Sequence, residues 1–393
     1  MKILILGPAY PYRGGIAAFN ERLAREFIKE GHDVSIETFI MQYPGFLFPG
    51  KTQFSEDPPP PGLEIRRSVH SMNPLNWLKT GLRLKRERPD LVIVRFWIPY
   101  IGPSLGSICR LIRSNGHSMV IGLTDNIIPH EKKPGDHLLT SWFINSCDAI
   151  VAMSESVLTD LDRFDRSKPR RCGPHPIYDH YGDIMPREAA LSRLNLDPEY
   201  NYLLFFGLIR DYKGLDLLIR ALAIPESVHH NIRLLVAGEF YSNEETYRKL
   251  VGDLGLEKMV IFASNYIPNE EVQYYFNAAD MVVQPYRSAT QSGVTQVAYH
   301  FHKPMLVTNV GGLPEIVPHG KAGYVCNPDP DEIAASIDDF YRFNRKASFE
   351  AHVVEEKTKF TWDRFTRLFY DLNDEFRSSG NRIEFKKQYG RET

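Results

Sequence analysis

The chain has 393 residues, too many for one ordinary core, and its 43% hydrophobic and 24% charged residues mark a globular protein rather than a disordered one. A formal net charge of −2 supplies no field that favours nucleic acid, so no nucleic-acid partner is expected. Four scattered cysteines with no C-x-x-C pair argue against a disulfide framework and a zinc site, and for a reducing compartment.

MKILILGPAYPYRGG opens the chain with too short an apolar stretch for a signal peptide, so it is expected to be a first strand. No run of about 18 apolar residues follows, and a soluble cytoplasmic protein is expected. GGIAAFNERLAREFIKEGH carries Ile16, Phe19, Leu23 and Phe27 at helical spacing, with Gly31 as a stop. Further apolar runs at 33–39, 90–96, 118–123 and 149–154 read as strands. Helices are expected near 74–87, 103–114, 136–147 and 154–163. This alternation predicts a parallel sheet covered on both faces.

GFLFPGKT at 45–52 spells a phosphate-binding loop, G-x-x-x-x-G-K-[ST]. Such a loop must open a helix whose amides hold the phosphate. Here Pro49 has no N–H, and Pro58 to Pro61 cannot continue a helix. A long loop after the second strand is expected instead.

NPLNWLKTGLRLKRERP (73–89) sets Trp77, Leu78, Leu82 and Leu84 beside Lys79, Arg83, Lys85, Arg86 and Arg88. A basic amphipathic helix of this kind suits the inner face of an anionic membrane, and equally a surface helix packed on its own sheet. GLTDNIIPHEKKPGD (122–136) leaves a strand end, so Asp125 and His130 are candidate catalytic groups there, His130 as a base titrating near neutrality. Asp160/Asp162 and Asp329/Asp331 spell D-x-D, but the first pair lies in a helical stretch and the second at a helix start, where capping explains it. No metal and no cofactor is expected.

PRRCGPHPIYDHYGDIMPREAA is proline-rich and aperiodic, as a linker is. A second strand–helix series follows, with strands at 201–207, 232–238, 259–264, 281–286, 304–309 and 323–327. The expected fold class is therefore α/β: two doubly wound Rossmann-like parallel-sheet domains, with ligands in a cleft outside the strands' carboxyl ends. The boundaries expected are 1–175 for the first domain, 176–200 for the linker, 201–355 for the second domain, and 356–380 for a C-terminal helix. On the loop after 201–207, Arg210 and Lys213 stand three residues apart; they suit a diphosphate, or are ordinary solvated charges.

The phrase GLIRDYKGLDLLIRA (207–221) resembles the diphosphate loop of the family-4 retaining glycosyltransferases, which have the GT-B fold. RGGIAAFNERLAREFIKEGHDV, HKPMLVTNVGGLPEIVPHGKAGYVCNP and FTWDRF resemble that family's glycine loop, C-terminal block and closing helix, in the same order. The last resemblance implies that the helix at 356–380 crosses back to the first domain. The resemblance implies transfer of a sugar from a nucleotide-diphosphate donor to a glycan or lipid-linked acceptor hydroxyl with retained configuration, in surface polysaccharide assembly. An epimerase or hydrolase of nucleotide sugars, or a non-catalytic nucleotide binder, is the alternative. The resemblance places Gly14 and Gly15 against the donor from the first domain and Lys213 and Arg210 on its phosphates. Tyr266 falls near the family's base pocket, and Glu315 near the donor. The family's glutamate pair is absent: its positions hold Ala289 and Val297. The segment between them resembles a serine-glycine variant, in which Thr290 and Gln291 bond the sugar and Ser292, Gly293 and Val294 open a helix whose amides face a phosphate.

Overall fold

The computed structural model describes the chain except residues 45–51, 56–57, 130–132, 180, 225–229, 290–291, 381, 383 and 386–393. The chain divides into two compact units, residues 1–175 with 362–393, and residues 176–361.

The first unit is built on strands β1 (Lys2–Leu6), β2 (Asp33–Met41), β3 (Glu64–His70), β4 (Leu91–Phe96), β5 (Met119–Thr124), β6 (Ala149–Ala152) and β7 (Arg170–Cys172). All pairs are parallel, in the order β3-β2-β1-β4-β5-β6-β7. The central strands β4 and β5 are buried along their whole length, so they read as apolar runs, broken in β4 only by Arg95. Edge strand β3, EIRRSVH, is mostly open to water and carries no such run, which is why the sequence pattern misses it. Helices α1 (Gly15–Lys29), α2 (Pro74–Glu87), α3 (Gly102–Arg113), α4 (Asp136–Ile144) and α5 (Glu155–Leu161) connect the strands. One core joins Leu84 of α2, Leu105 and Ile108 of α3 and Phe143 of α4 to Val92, Val94 and Val120 of the sheet.

The second unit has α6 (Arg187–Arg193), β8 (Asn201–Phe206), α7 (Leu215–Leu222), β9 (Ile232–Ala237), α8 (Glu244–Asp253), β10 (Val260–Ala263) and α9 (Asn269–Ala278). It continues with β11 (Met281–Gln284), α10 (Gly293–His300), β12 (Met305–Thr308), α11 (Leu313–Ile316), β13 (Gly323–Cys326), α12 (Pro330–Arg342) and α13 (Lys346–Lys357). The strand order is β10-β9-β8-β11-β12-β13, again all parallel. Residues 176–200, expected as linker, include helix α6, whose Arg187 guanidinium donates to the Tyr200 carbonyl at 2.7 Å. Its short span hides its periodicity.

The last helix, α14 (Trp362–Ser378), belongs to the first unit. Trp362 and Phe365 pack on Phe19 of α1 with ring centroids 5.1 and 5.6 Å apart, and Phe369 packs on Phe27 at 6.1 Å. Each such pair contributes about 0.5–1.5 kcal/mol beyond its buried area. Thr366 and Tyr370 both donate to Glu30 just past the end of α1.

In both sheets the strand order reverses at one point, between β1 and β4 and between β8 and β11. Open parallel sheets bind ligands outside the strands' carboxyl ends at such a reversal.

Candidate functional site

At the second unit's reversal point, β8 ends at Phe206 and the chain turns through Gly207, with φ 101°. A 3-10 turn, Asp211–Lys213, then leads through Gly214 into α7. Gly214 has φ 66°, and a Cβ there would lie 2.0 Å from the Pro285 carbonyl oxygen beyond β11, so only glycine fits. The Arg287 amide donates to the Tyr212 carbonyl at 2.7 Å, and its guanidinium forks onto Asp216 at 2.8 and 2.6 Å. The loop after β8 is thus fastened to the loop after β11.

That fastening tucks Lys213 inward. The residue is 8% exposed, and its Nζ lies 5.5 Å from the centre of the Tyr286 ring. Burial, and then the neighbouring Arg210 charge, pull its ammonium down to about 8. Neither Lys213 nor Arg210 forms an ion pair with a described residue; exposed Arg210 stacks on Tyr241 at 5.1 Å. Two cations side by side, one buried and without a counter-charge, form a site that an anion would stabilise.

Helix α10 starts at the same corner. A Cβ on Gly207 would stand 3.1 Å from Lys213 Nζ and 3.7 Å from a Val294 methyl. The helix opens at Gly293 behind Ser292, where the sequence pattern puts it. Its amides are not all free, however. The Ser292 hydroxyl accepts from the Val294 amide at 3.3 Å, and the Ser292 carbonyl accepts from Thr295. Ser292 is a helix cap, so a phosphate there competes with it for Val294. Gly293 lets this first turn press on Tyr178, whose ring lies 2.8 Å from where a Cβ would be.

The remaining expected donor residues are more dispersed. Tyr266 is half exposed beyond β10 and adjoins Tyr181, and Glu315 is exposed on the short helix α11. Thr290, Gln291 and His130 lie outside the described residues, as do residues 45–51 of the phosphate-loop spelling. At the end of that spelling the Thr52 carbonyl accepts from Arg13 Nε at 3.0 Å, and just beyond it Phe54 bridges to Tyr12, with no helix among the described residues there. Of the D-x-D residues, Asp329 caps α12 and Asp162 pairs with Arg170 at 2.6 Å.

The first unit's reversal point holds Arg95, Asp125 and the glycine loop. Arg95, at the end of β4, is buried and stacks on Phe19 at 4.1 Å. Its Nε donates to Asp125 Oδ2 at 2.6 Å, and a second guanidinium nitrogen holds Oδ1. Both oxygens of the candidate catalytic carboxylate are therefore bound to one arginine. Sequence reasoning missed Arg95; the signal was a lone charge inside the run LVIVRF. Gly14, with φ 111°, precedes α1, and Gly14 and Gly15 line a cavity of about 160 Å³ together with Tyr12, Arg13, Gln42 and Gln53.

Two family models match the chain: Glycosyltransferase Family 4 over residues 13–172, and Glycosyl transferases group 1 over residues 186–352. An uncharacterized glycosyltransferase of Methanocaldococcus jannaschii is 24% identical over 93% of this chain and 95% of its own length. The D-inositol 3-phosphate glycosyltransferase of Streptomyces coelicolor is 29% identical over 57% of this chain, which spans about half, 49%, of that relative. Among solved structures, Anabaena HepE in complex with UDP superposes with a TM-score of 0.71 at 18% identity, over 94% of this chain and 99% of that one. With two parallel-sheet α/β units and both family models matched in order, the chain belongs to the family-4 glycosyltransferases of the GT-B fold and is a transferase of glycosyl groups.

Proposed function

We propose that the chain takes a sugar from a nucleotide-diphosphate donor and passes it, with retained configuration, to a hydroxyl of a glycan or lipid-linked acceptor in surface polysaccharide assembly. The observation that carries this reading is Lys213, a buried cation with no anionic partner among the described residues. The donor's diphosphate would supply the missing charge. UDP and UDP-glucose complexes of Anabaena HepE support such a donor by analogy of fold.

Departure of the diphosphate builds negative charge where Lys213, Arg210 and the start of α10 converge, which lowers the barrier electrostatically and needs no protein nucleophile. The sugar would then carry oxocarbenium character, and a departing phosphate oxygen would take the acceptor's proton. Gly14 and Gly15 would admit the donor closely from the first unit, and Tyr266 would face the base. Asp125, held by Arg95, acts in this reading through the shape of its loop rather than as the proton acceptor.

Among the described residues no helix is long and apolar enough to cross a membrane. Residues 73–89 would bring the enzyme peripherally to the cytoplasmic face of a membrane, where lipid-linked acceptors lie.

The test is release of nucleoside diphosphate from a panel of nucleotide sugars, with and without lipid or glycan acceptors. Turnover should fall about 10²- to 10³-fold in Lys213→Ala and persist in Lys51→Ala. The opposite pattern contradicts the reading.

A further inference from the structure

Helices α2, α3 and α4 cover one face of the first sheet as neighbours, and glycines bring them close. A Cβ on Gly81 of α2 would meet Leu111 of α3 at 2.5 Å, and one on Gly102 of α3 would meet the Leu139 carbonyl of α4 at 2.4 Å. Gly106 of α3 leaves room for the Trp142 indole, whose nearest atom would stand 2.8 Å from a Cβ, while Arg110 stacks on that indole at 4.0 Å. The helices of this layer thus pack closely, with the Trp142 indole seated against Gly106 and Arg110.

Its outer surface pairs apolar side chains with unneutralised cations. Leu75, Leu78, Lys79, Leu82 and Arg86 fall on one side of α2, while Thr80, Gly81 and Leu84 are buried on the other. Leu75 is 78% exposed. On α4, Leu138 is 70% and Trp142 45% exposed. Helices α2 and α3 carry Lys79, Arg83, Lys85, Arg86, Arg110 and Arg113 against one carboxylate, Glu87, although the whole chain has a net charge of −2. Arg83 is spent on Glu37 and Glu87, and Arg113 on Asp148. Lys79, Lys85 and Arg86 have no ion pair with a described residue, and Arg110 donates to the Gly106 and Trp142 backbone carbonyls.

We propose that this layer docks flat on an anionic bilayer through two apolar anchors, Leu75 with Leu78 on α2 and Leu138 with Trp142 on α4. The α2 half rests on the membrane contact proposed above; the α4 anchor is independent of it. Two helix-to-helix steps put the anchors roughly 20 Å apart with α3 between them. A separated pair of short anchors flanking basic charge suits a planar, deformable surface better than the continuous patch of a protein interface. Indole and arginine side by side favour the headgroup level.

The test is co-sedimentation of the full chain with phosphatidylcholine vesicles and with vesicles containing about a third phosphatidylglycerol. Binding is expected to the second only and to weaken with salt. Leu138→Ser with Trp142→Ser should cut it about tenfold, as should Leu75→Ser with Leu78→Ser. Trp142→Phe should diminish the fluorescence blue shift on vesicle addition. Thermal melting with and without nucleoside diphosphate checks that each variant is folded, and keeps this outcome separate from the donor reading. Equal binding to both vesicles, no binding to either, wild-type binding by the α4 variant, or a vesicle-free dimer broken by the same substitutions would each overturn the proposal.

Discussion

The two sheets share a topology, and each carries a buried cation at its reversal point, yet the two cations are in opposite states. Arg95 in the first unit is stacked on Phe19 and forked onto Asp125. Lys213 in the second is also enclosed, but its charged neighbour among described residues is another cation, Arg210. A neutralised buried pair holds two strand ends in register. An unneutralised buried cation is a cost that the fold carries for something that arrives later. The same architecture thus gives one structural corner and one that we propose as the binding corner, and the difference lies in a single carboxylate.

Removing that carboxylate is the largest perturbation. Asp125→Asn leaves the buried Arg95 charge without its partner and should destabilise the first unit by about 3–5 kcal/mol, measured by urea unfolding. Arg95→Met with Asp125→Leu should recover most of the loss. If Asp125→Asn instead leaves stability intact and abolishes turnover, Asp125 is chemical rather than structural, and the contrast fails.

Lys213→Ala tests the other side. Turnover should fall about 10²- to 10³-fold, as when one preorganised donor to a developing negative charge is removed. The melting temperature should hold or rise, because a desolvated charge has gone. A fall in both would mean that Lys213 is a packing residue.

The second unit also buries Gln284 and Gln296, whose amide nitrogens and oxygens find no hydrogen-bond partner among the described residues. If they are purely structural, Gln296→Leu should stabilise the chain by about 1–3 kcal/mol in the same urea assay. Loss of donor affinity instead would extend the binding corner beneath α10.

Arg287→Ala releases the clamp on Asp216 while leaving both cations in place. This exposed pair contributes at most about 1 kcal/mol to stability, so the expected change is a rise in donor KM of several-fold with kcat nearly kept. The mildest probe is pH. The Lys213 ammonium titrates near 8 in the free protein, so nucleoside diphosphate affinity should be level below pH 8 and fall by up to about tenfold per unit above it.

Much of this contrast was legible beforehand. The buried parallel strands announce themselves as apolar runs, while the spacing of Arg210 and Lys213 before Gly214 suits a diphosphate and ordinary solvated charge alike. Strand β3 stayed hidden because it is a solvent-facing edge, and α6 because seven residues show too little periodicity. The burial of Lys213 could not be read, since it depends on Gly214 seating against Pro285, a contact across 71 residues of chain. Asp125 was legible by its place after a strand, but its bond to Arg95 was not, because a tertiary pairing leaves no periodic signal. Ser292 was legible as the start of a helix; that its hydroxyl would cap Val294 turned on side-chain geometry.

The central claim is that Lys213 receives the donor's diphosphate. It is tested most directly by calorimetry at pH 8 in buffers of differing ionisation enthalpy, using whichever of UDP, GDP, ADP and TDP binds most tightly. Wild type should take up about half a proton on binding, because Lys213 is half ionised beforehand and fully ionised with a dianionic neighbour. Lys213→Met should bind far more weakly and take up none. Equal affinity in the variant, with no proton uptake by either protein, would place the diphosphate elsewhere and contradict the account.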